Sequence, residues 1–317
     1  MSIETAFEIV LAAVVLTLGV WTIVVPETFS ATVGFVAYGL LVALIWVRLD
    51  AADVALTEAA IGGGLGGVLL LGAAARLRDA DMMADATPGK LLRAGAAALS
   101  VLTAVALAGV VLLLPDPAPT LAPAAVANAW ATGLSNPVTN VLMAFRAMDT
   151  MLEKVVLLLA IIGVWSLAPD SAWGGRPGPR HQADPRGVLA FLARLLPPVG
   201  IVIGIYILWT GSDHPGGAFQ GGAILASMWL LAIMAGLADT PLVSHRSVRF
   251  ILVAGPGLFL LVGLAGLLLG AAFLSYPPAL AKPLILGIEV AMTLTIAATL
   301  GLLLAGAPER STEPGAA

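Results

Sequence analysis

The run RLDAADVALTEAAIGGGLGGVLLLG, residues 48–72, sets three carboxylates, Asp50, Asp53 and Glu58, into an apolar stretch. At about 1.5 Å rise per helical residue, Glu58 lies roughly 12 Å beyond Asp50. In a bilayer with a hydrocarbon core of about 30 Å that places its carboxylate well inside. Bare burial of such a group costs at least a few kcal/mol, so it marks a functional site or a structural hydrogen bond with a partner to be found. A second cluster lies in NPVTNVLMAFRAMDTMLEKVVLLLA, residues 136–160, where Arg146, Asp149 and Glu153 are spaced i, i+3 and i+7 on one helical face. It reads either as a surface ion-pair network or as a polar path continued by Glu153. Glu289 is the third candidate. It follows Lys282 by about 10 Å of helix, with Thr293 one turn on as its expected hydrogen-bond partner. Carboxylates suit proton loading and release, and their oxygens suit hard cations such as Na⁺.

Glycine and proline surround these groups. Gly62, Gly63, Gly66 and Gly67 form two overlaid small-xxx-small patterns that let another helix approach closely. They are not a phosphate loop, since no strand precedes them and no Lys-Ser/Thr follows. In YILWTGSDHPGGAFQGGAILASMWL, residues 206–230, Pro215, Gly216, Gly217, Gly221 and Gly222 interrupt an apolar run. Broken helices at membrane depth line cavities, but a plain loop with tight turns at Asp213-His214-Pro215 is the preferred reading. His214 reads as incidental.

The elements that position these residues must be transmembrane helices. The 317 residues are 60% hydrophobic and only 11% charged, and mean hydropathy is +1.02, against about 25% charged in soluble domains. The spacing predicts an all-α polytopic protein of nine spans, 6–25, 30–49, 52–75, 91–114, 151–168, 188–210, 218–238, 249–273 and 283–305, each long enough to cross a bilayer. The first span is not a signal peptide: Glu4 and Glu8 flank it without Lys or Arg. Cysteine is absent, which excludes disulfides, thiolate metal sites and iron–sulfur ligation. Three histidines make a His-based metal or haem site improbable, so no metal and no cofactor is expected. A net charge of −4 argues against nucleic acid as a partner.

Of the fifteen Lys and Arg residues, Arg48, Arg146, Lys154 and Lys282 fall on the N-terminal side of the membrane and the other eleven on the opposite side. The bias predicts the N-terminus outside and the C-terminus cytoplasmic. Lys90, Lys154 and Lys282 lie at span ends, where they are expected to snorkel. The Pro/Gly/Arg-rich stretch 169–187 reads as a cytoplasmic linker. It separates residues 1–90 and 91–168 from 188–317.

Three motifs carry a family resemblance. AADVALTEAAIGGGLGG resembles the signature of the MbhD-type domain (DUF4040) of membrane-bound hydrogenases and Mrp-type multisubunit Na⁺/H⁺ antiporters. NPVTNVLMAFRAMDTMLE resembles the MbhE-type segment, and HPGGAFQGGAILAS resembles the core of MnhB-type subunits. The order is the family's, and the blocks would supply three, two and four helices over 1–90, 91–168 and 188–317. By position Asp53 and Glu58 match the MbhD-type acidic pair, Arg146, Asp149 and Glu153 the MbhE-type motif, and Pro215 to Gly222 the MnhB-type motif. Leu152 stands where that family has Gly, Lys154 follows Glu153 where it has an apolar residue, and Ala218 replaces a Gly. Lys154 could therefore salt-bridge Glu153 locally.

The resemblance implies a non-enzymatic subunit of an Mrp-like, complex-I-related assembly. It would contribute a carboxylate-lined ion or proton path, with Glu58 as principal carrier. Its partners would be an antiporter-like subunit, smaller membrane subunits, the bilayer, and Na⁺ or H⁺. A structural adaptor whose glycine faces dock neighbouring subunits is the alternative; a self-sufficient carrier is disfavoured by nine spans without an internal repeat. Reporter fusions within 168–187 and at the C-terminus are expected to report cytoplasm. An outside signal from either would mean a miscounted span.

Overall fold

The computed structural model describes residues 2–81, 89–178, 184–269 and 272–309, with side chains omitted for 76–81. The side chains of Arg76 and Arg78, residues 82–88, and Arg180, His181 and Arg310 lie outside the described residues.

The described residues are helical throughout, and each expected span has its helix. Seven segments are long and apolar enough to cross a membrane: α1 (Ile3–Val24), α2 (Thr28–Arg48), the composite Ala52–Ala75, α5 (Lys90–Leu112), α9 (Val188–Thr210), α11 (Arg246–Leu268) and α12 (Ala281–Ala305). A shorter apolar helix, α10 (Ala218–Met234), and α8 (Ala147–Trp165), which carries Asp149, Glu153 and Lys154, account for the remaining two. Two short helices, α6 (Ala122–Asn128) and α7 (Pro137–Asn140), precede α8. This is a polytopic membrane protein.

The N-terminal helices form a layer around glycine. The composite span is α3 (Ala52–Glu58), a π-helical turn over Ala59–Leu65, and α4 (Gly66–Asp81). The sequence pattern anticipates one continuous α-helix; the wider turn is the difference, and π turns of this kind collect at functional sites. Its cause is local. A Cβ at Gly66 would stand 2.8 Å from the Ile61 carbonyl oxygen, so only glycine closes the i→i+5 turn. The rest of the glycine face is taken up by α2. A Cβ at Gly39 would lie 3.1 Å from the Gly62 carbonyl carbon, one at Gly63 would lie 2.8 Å from Leu40 Cδ2, and one at Gly67 2.6 Å from Val36 Cγ2. The close approach allowed by the small residues is thus intramolecular. At the far ends, Arg48 pairs with Glu8 at 3.0 Å and ties α2 to α1.

The second layer is the bundle α8–α12, and α12 is its axis. Ile285, Ile288, Met292 and Ile296 are buried to 2% exposure or less, against Phe259 of α11 and Ala218, Ala223 and Ala226 of α10. Gly221 and Gly222 are packing residues within α10. A Cβ at Gly221 would sit 2.7 Å from the Gly204 oxygen of α9, and one at Gly222 would sit 2.8 Å from Ile296 Cγ2 of α12. The Thr295 hydroxyl of α12 inserts into α11 beside Pro256, accepting from the Gly255 N–H at 2.9 Å and donating to the Ile251 carbonyl at 2.7 Å. It satisfies backbone groups that a helix-interior proline would otherwise leave strained.

Part of the expected linker is docked. The Val243 N–H donates to Gly175 O at 2.9 Å, the Gly178 N–H to Ala307 O at 3.0 Å, and Thr240 Oγ1 to Pro177 O at 2.8 Å. Pro177 and Pro308 are fully buried where these chains meet. Residues 172–178 therefore strap the α10–α11 turn to the end of α12. By contrast α5 has no buried residue.

Overpacking a tight glycine contact costs about 1–3 kcal/mol. Gly63→Leu and Gly67→Leu are expected to lower the thermal stability of the detergent-solubilised protein, whereas Gly72→Leu, where nothing lies within 4 Å of the added Cβ, should not. Indistinguishable melting of the three would show that α2 does not depend on that face.

Candidate ion site between the two layers

Where the N-terminal layer meets the bundle, a cavity of ≈190 Å³ opens among polar side chains, with Asp53, Thr57, Glu153, Lys154, Gln220 and Glu289 in its wall. It brings together residues from all three sequence clusters.

Asp53 anchors the junction. It is 8% exposed at the start of α3, and its Oδ1 accepts the Gly216 N–H at 2.8 Å. Gly216 and Gly217 make that donor available by adopting φ 149° and 131°, a region that favours glycine. The Gln220 side-chain amide donates to Thr57 Oγ1 at 3.1 Å, joining α10 to α3 a second time. Residues 211–217 form a plain loop, and α10 starts at Ala218, so the half-helix reading of this segment does not hold.

Glu289 supplies the unsettled charge. It is 3% exposed and eight residues into α12, about 12 Å along the helix. The backbone N–H of Ala218, at the N-terminus of α10, points at its carboxyl group, a placement that favours negative charge. Its other oxygen, Oε2, is buried without a hydrogen-bond partner. The expected partnership with Thr293 is not made: that hydroxyl donates to the Glu289 carbonyl oxygen at 2.8 Å.

Lys154 corrects the expectation that it snorkels. It is 3% exposed, with Nζ 2.5 Å from Glu153 Oε1 and 5.1 Å from the centre of the Phe219 ring. The register that turns it inward comes from a second π turn, Val141–Phe145, and a break at Arg146 (φ −129°, ψ 33°) that precedes α8. The Thr150 hydroxyl fixes that break by donating to Leu142 O at 2.6 Å. Because Arg146 is outside the helix, the i, i+3, i+7 face is not regular. Arg146 and Asp149 pair at 2.6 Å, both more than half exposed, while Glu153 is held by Lys154.

Two acidic candidates lie apart from the cavity wall. Asp50 is exposed in the α2–α3 turn with φ 56°. Glu58 is half-buried, with Oε1 lying against Gly62, where a Cβ would collide with it. Pro215 and His214 are exposed in the loop.

A polar clamp not singled out by the sequence pattern fixes that loop. Asn136 Nδ2 donates to Gly211 O at 3.1 Å and His214 O at 2.9 Å, and Thr139 Oγ1 donates to Gly211 O at 2.6 Å. Asn140 donates to Leu134 O and Asn136 O and pairs with Thr132. The signal for it is Asn-Pro-x-Thr-Asn at the head of an apolar run, where buried amides must find backbone partners. Lys282 Nζ reaches Asp213 Oδ1 at 3.1 Å on the outer side of the loop. The Ser212 hydroxyl first, then Lys282, hold the Asp213 carboxyl below the usual carboxylate range. Among the described residues no group of three or more His, Cys, Asp or Glu is arranged to hold a metal ion.

Residues 188–307 match the domain related to the MnhB subunit of Na⁺/H⁺ antiporters, and residues 13–79 match the MbhD family of MBH subunits. An uncharacterised protein of Methanocaldococcus jannaschii is 28% identical over 165 residues, 44% of this chain. The match spans about 60% of that relative's length. Among solved structures, the Mrp complex from Dietzia sp. DQ12-45-1b contains a chain of the same fold, with TM-score 0.70 and 23% identity. That likeness covers 96% of this chain and 35% of that one. The archaeal membrane-bound sulfane sulfur reductase, a respiratory membrane complex, contains a similar chain at TM-score 0.51 and 25% identity, covering 68% of this chain and 98% of that one.

Removing an amide that satisfies buried carbonyls costs about 1–3 kcal/mol. Asn136→Ala is therefore expected to destabilise the purified protein and to make the 211–217 loop susceptible to limited proteolysis, while Asn128→Ala, on an exposed amide, should do neither. Equal cleavage of the two variants would remove the clamp from the account.

Proposed function

We propose, for a chain that joins an MbhD-type domain to an MnhB-type domain, that it is a membrane subunit of an Mrp-like, complex-I-related assembly and contributes a carboxylate-lined ion or proton route. The carrying observation is Glu289, whose side chain lines the cavity at the seam between the two domains and whose Oε2 is buried without a hydrogen-bond partner. A carboxyl in that position satisfies its free oxygen by binding a proton, a water or a cation. The cavity volume leaves room for several waters. Asp53 and Glu153 add oxygen ligands to the wall, and the polar path runs from α8 to α12 across the domain boundary.

Under the Lys/Arg bias the N-terminus is outside and the C-terminus cytoplasmic, which puts the cavity in the outward half of the membrane. Partner subunits would include an antiporter-like subunit and smaller membrane subunits. The unburied α5 and the outer faces of α1 offer them apolar surface. The route serves Na⁺ or H⁺, and catalysis of covalent chemistry is no part of the role. The adaptor alternative assigns the same carboxylates only to helix registry.

Site-directed exchange at two positions separates these readings. Glu289→Gln preserves shape but not titration. It is expected to leave the assembled complex at normal levels and to lower cation-dependent proton flux in vesicles at least tenfold, with Glu289→Asp retaining part of the flux. Glu58→Gln tests whether that half-buried carboxylate belongs to the same route: a carrier predicts Asp better than Gln, a structural hydrogen bond predicts Gln better than Asp. Full flux in both Gln variants would leave only the adaptor.

A further inference from the structure

A lysine buried against the cavity is the one charged wall residue that a carboxylate route does not use. Resting on the ion-route reading, we propose that Lys154 passes protons between Glu153 and Glu289, so that the three side chains form one relay from the exposed flank of α8 to the buried centre of the bundle.

The geometry supplies both transfers. Glu153 is the entry, its side chain 54% exposed, with Oε1 2.5 Å from Lys154 Nζ, within the range of a charge-assisted hydrogen bond. Lys154 itself is only 3% exposed. On its inner side lies the cavity whose wall it shares with Glu289, a carboxyl group with one oxygen, Oε2, buried without a partner. Water bridges such a gap when it finds two to four polar partners and about 10–15 Å³ of accessible space. The ≈190 Å³ cavity, with Lys154, Glu289, Thr57 and Gln220 in its wall, meets both conditions.

A purely structural ion pair explains this placement less well. Glu153 is itself only half-buried, and withdrawing an ammonium from water for such a partner loses more than the pair returns. The charged and titratable groups facing Lys154 are Glu153 on its own helix, Glu289 on α12 and Asp53 on α3. No other charged residue lines the cavity. Phe219 of α10 holds the head group by a cation–π contact at 5.1 Å.

The transfers balance. The Lys154 ammonium gives one proton through cavity water to the Glu289 carboxylate, leaving a neutral amine and a carboxylic acid. Glu153, left as a carboxylate, takes a proton on its exposed side and passes it to the amine, which restores the ion pair. Each step runs equally in reverse, so the direction is set by the gradient.

Arginine keeps the charge and the pairing with Glu153 but does not surrender its proton in proteins. In vesicles containing the whole assembled complex, Lys154→Arg is therefore expected to co-purify normally with its partner subunits and to lose proton flux at least tenfold. Wild-type flux from assembled Lys154→Arg would overturn the relay and reduce Lys154 to a fixed charge. If that larger side chain prevents assembly, Lys154→His and Lys154→Gln give the same decision. Histidine exchanges protons and should retain several-fold more flux than glutamine, and a histidine variant no better than glutamine would overturn the proposal. Glu289→Gln distinguishes the two levels. Undiminished flux there removes the ion route itself, whereas loss there together with full flux in Lys154→Arg removes only the relay.

Discussion

A single unsatisfied oxygen organises the interior of this protein. Glu289 Oε2 is buried in a helical bundle with no hydrogen-bond donor, a state that costs a few kcal/mol when nothing compensates it. Compensation is built from the surroundings. The N-terminus of α10 is aimed at the carboxyl group, which requires α10 to begin below the level at which α12 begins. That in turn requires a loop that dips toward the membrane interior with glycines at positive φ. A dipping loop exposes backbone carbonyls where water is scarce, and Asn136 and Thr139 exist to receive them. Asp53 closes the arrangement by accepting the Gly216 N–H from the other domain. The short α10, the Gly-Gly turn, the asparagine clamp and the domain seam therefore answer one electrostatic demand.

The same demand explains how the two layers stay in register. The N-terminal layer is held internally by glycine contacts between α2 and the π turn, and the bundle by α12. Between them the specific hydrogen bonds join Asp53 to Gly216 and Gln220 to Thr57. Polar contacts in an apolar solvent have few alternative partners, so they fix geometry even where their net stabilisation is modest. A seam built this way tolerates a water-sized gap. A seam built from packed side chains would close it.

The sequence made much of this legible, and its failures have physical causes. Span lengths, the glycine face, the acidic pair of the third span and Glu289 were readable because burial of polarity in a 30 Å apolar layer leaves a pattern in one dimension. The two π turns were not, because one inserted residue leaves hydrophobicity untouched and shows only in where side chains point. That rotation is why Lys154, a span-end lysine by position, faces inward, and why Arg146 leaves the face it was expected to share with Glu153. Depth along the span likewise does not tell which neighbours Glu58 meets. It stands farther along its helix than Asp53, yet the π turn that follows sets it beside Gly62, while Asp53, nearer the end, meets the loop that descends toward it. The docked half of the linker was hidden because Pro and Gly mark irregular backbone whether it is free or, as at Pro177 and Pro308, buried.

Lys154 and Glu289 belong to different family-like blocks, and neither block encloses the cavity alone. The wall takes Asp53 and Thr57 from the MbhD-type part, Gln220 and Glu289 from the MnhB-type part, and Glu153 and Lys154 from the helix between them. If these blocks were separate polypeptides, the seam would be a subunit interface, and any rocking of one body against the other would change the distances among these groups. The strap at 172–178 ties the turn after α10 to the end of α12, both inside the bundle, so it stiffens that body. The seam itself is left to the polar contacts between Asp53, Thr57, Gly216 and Gln220.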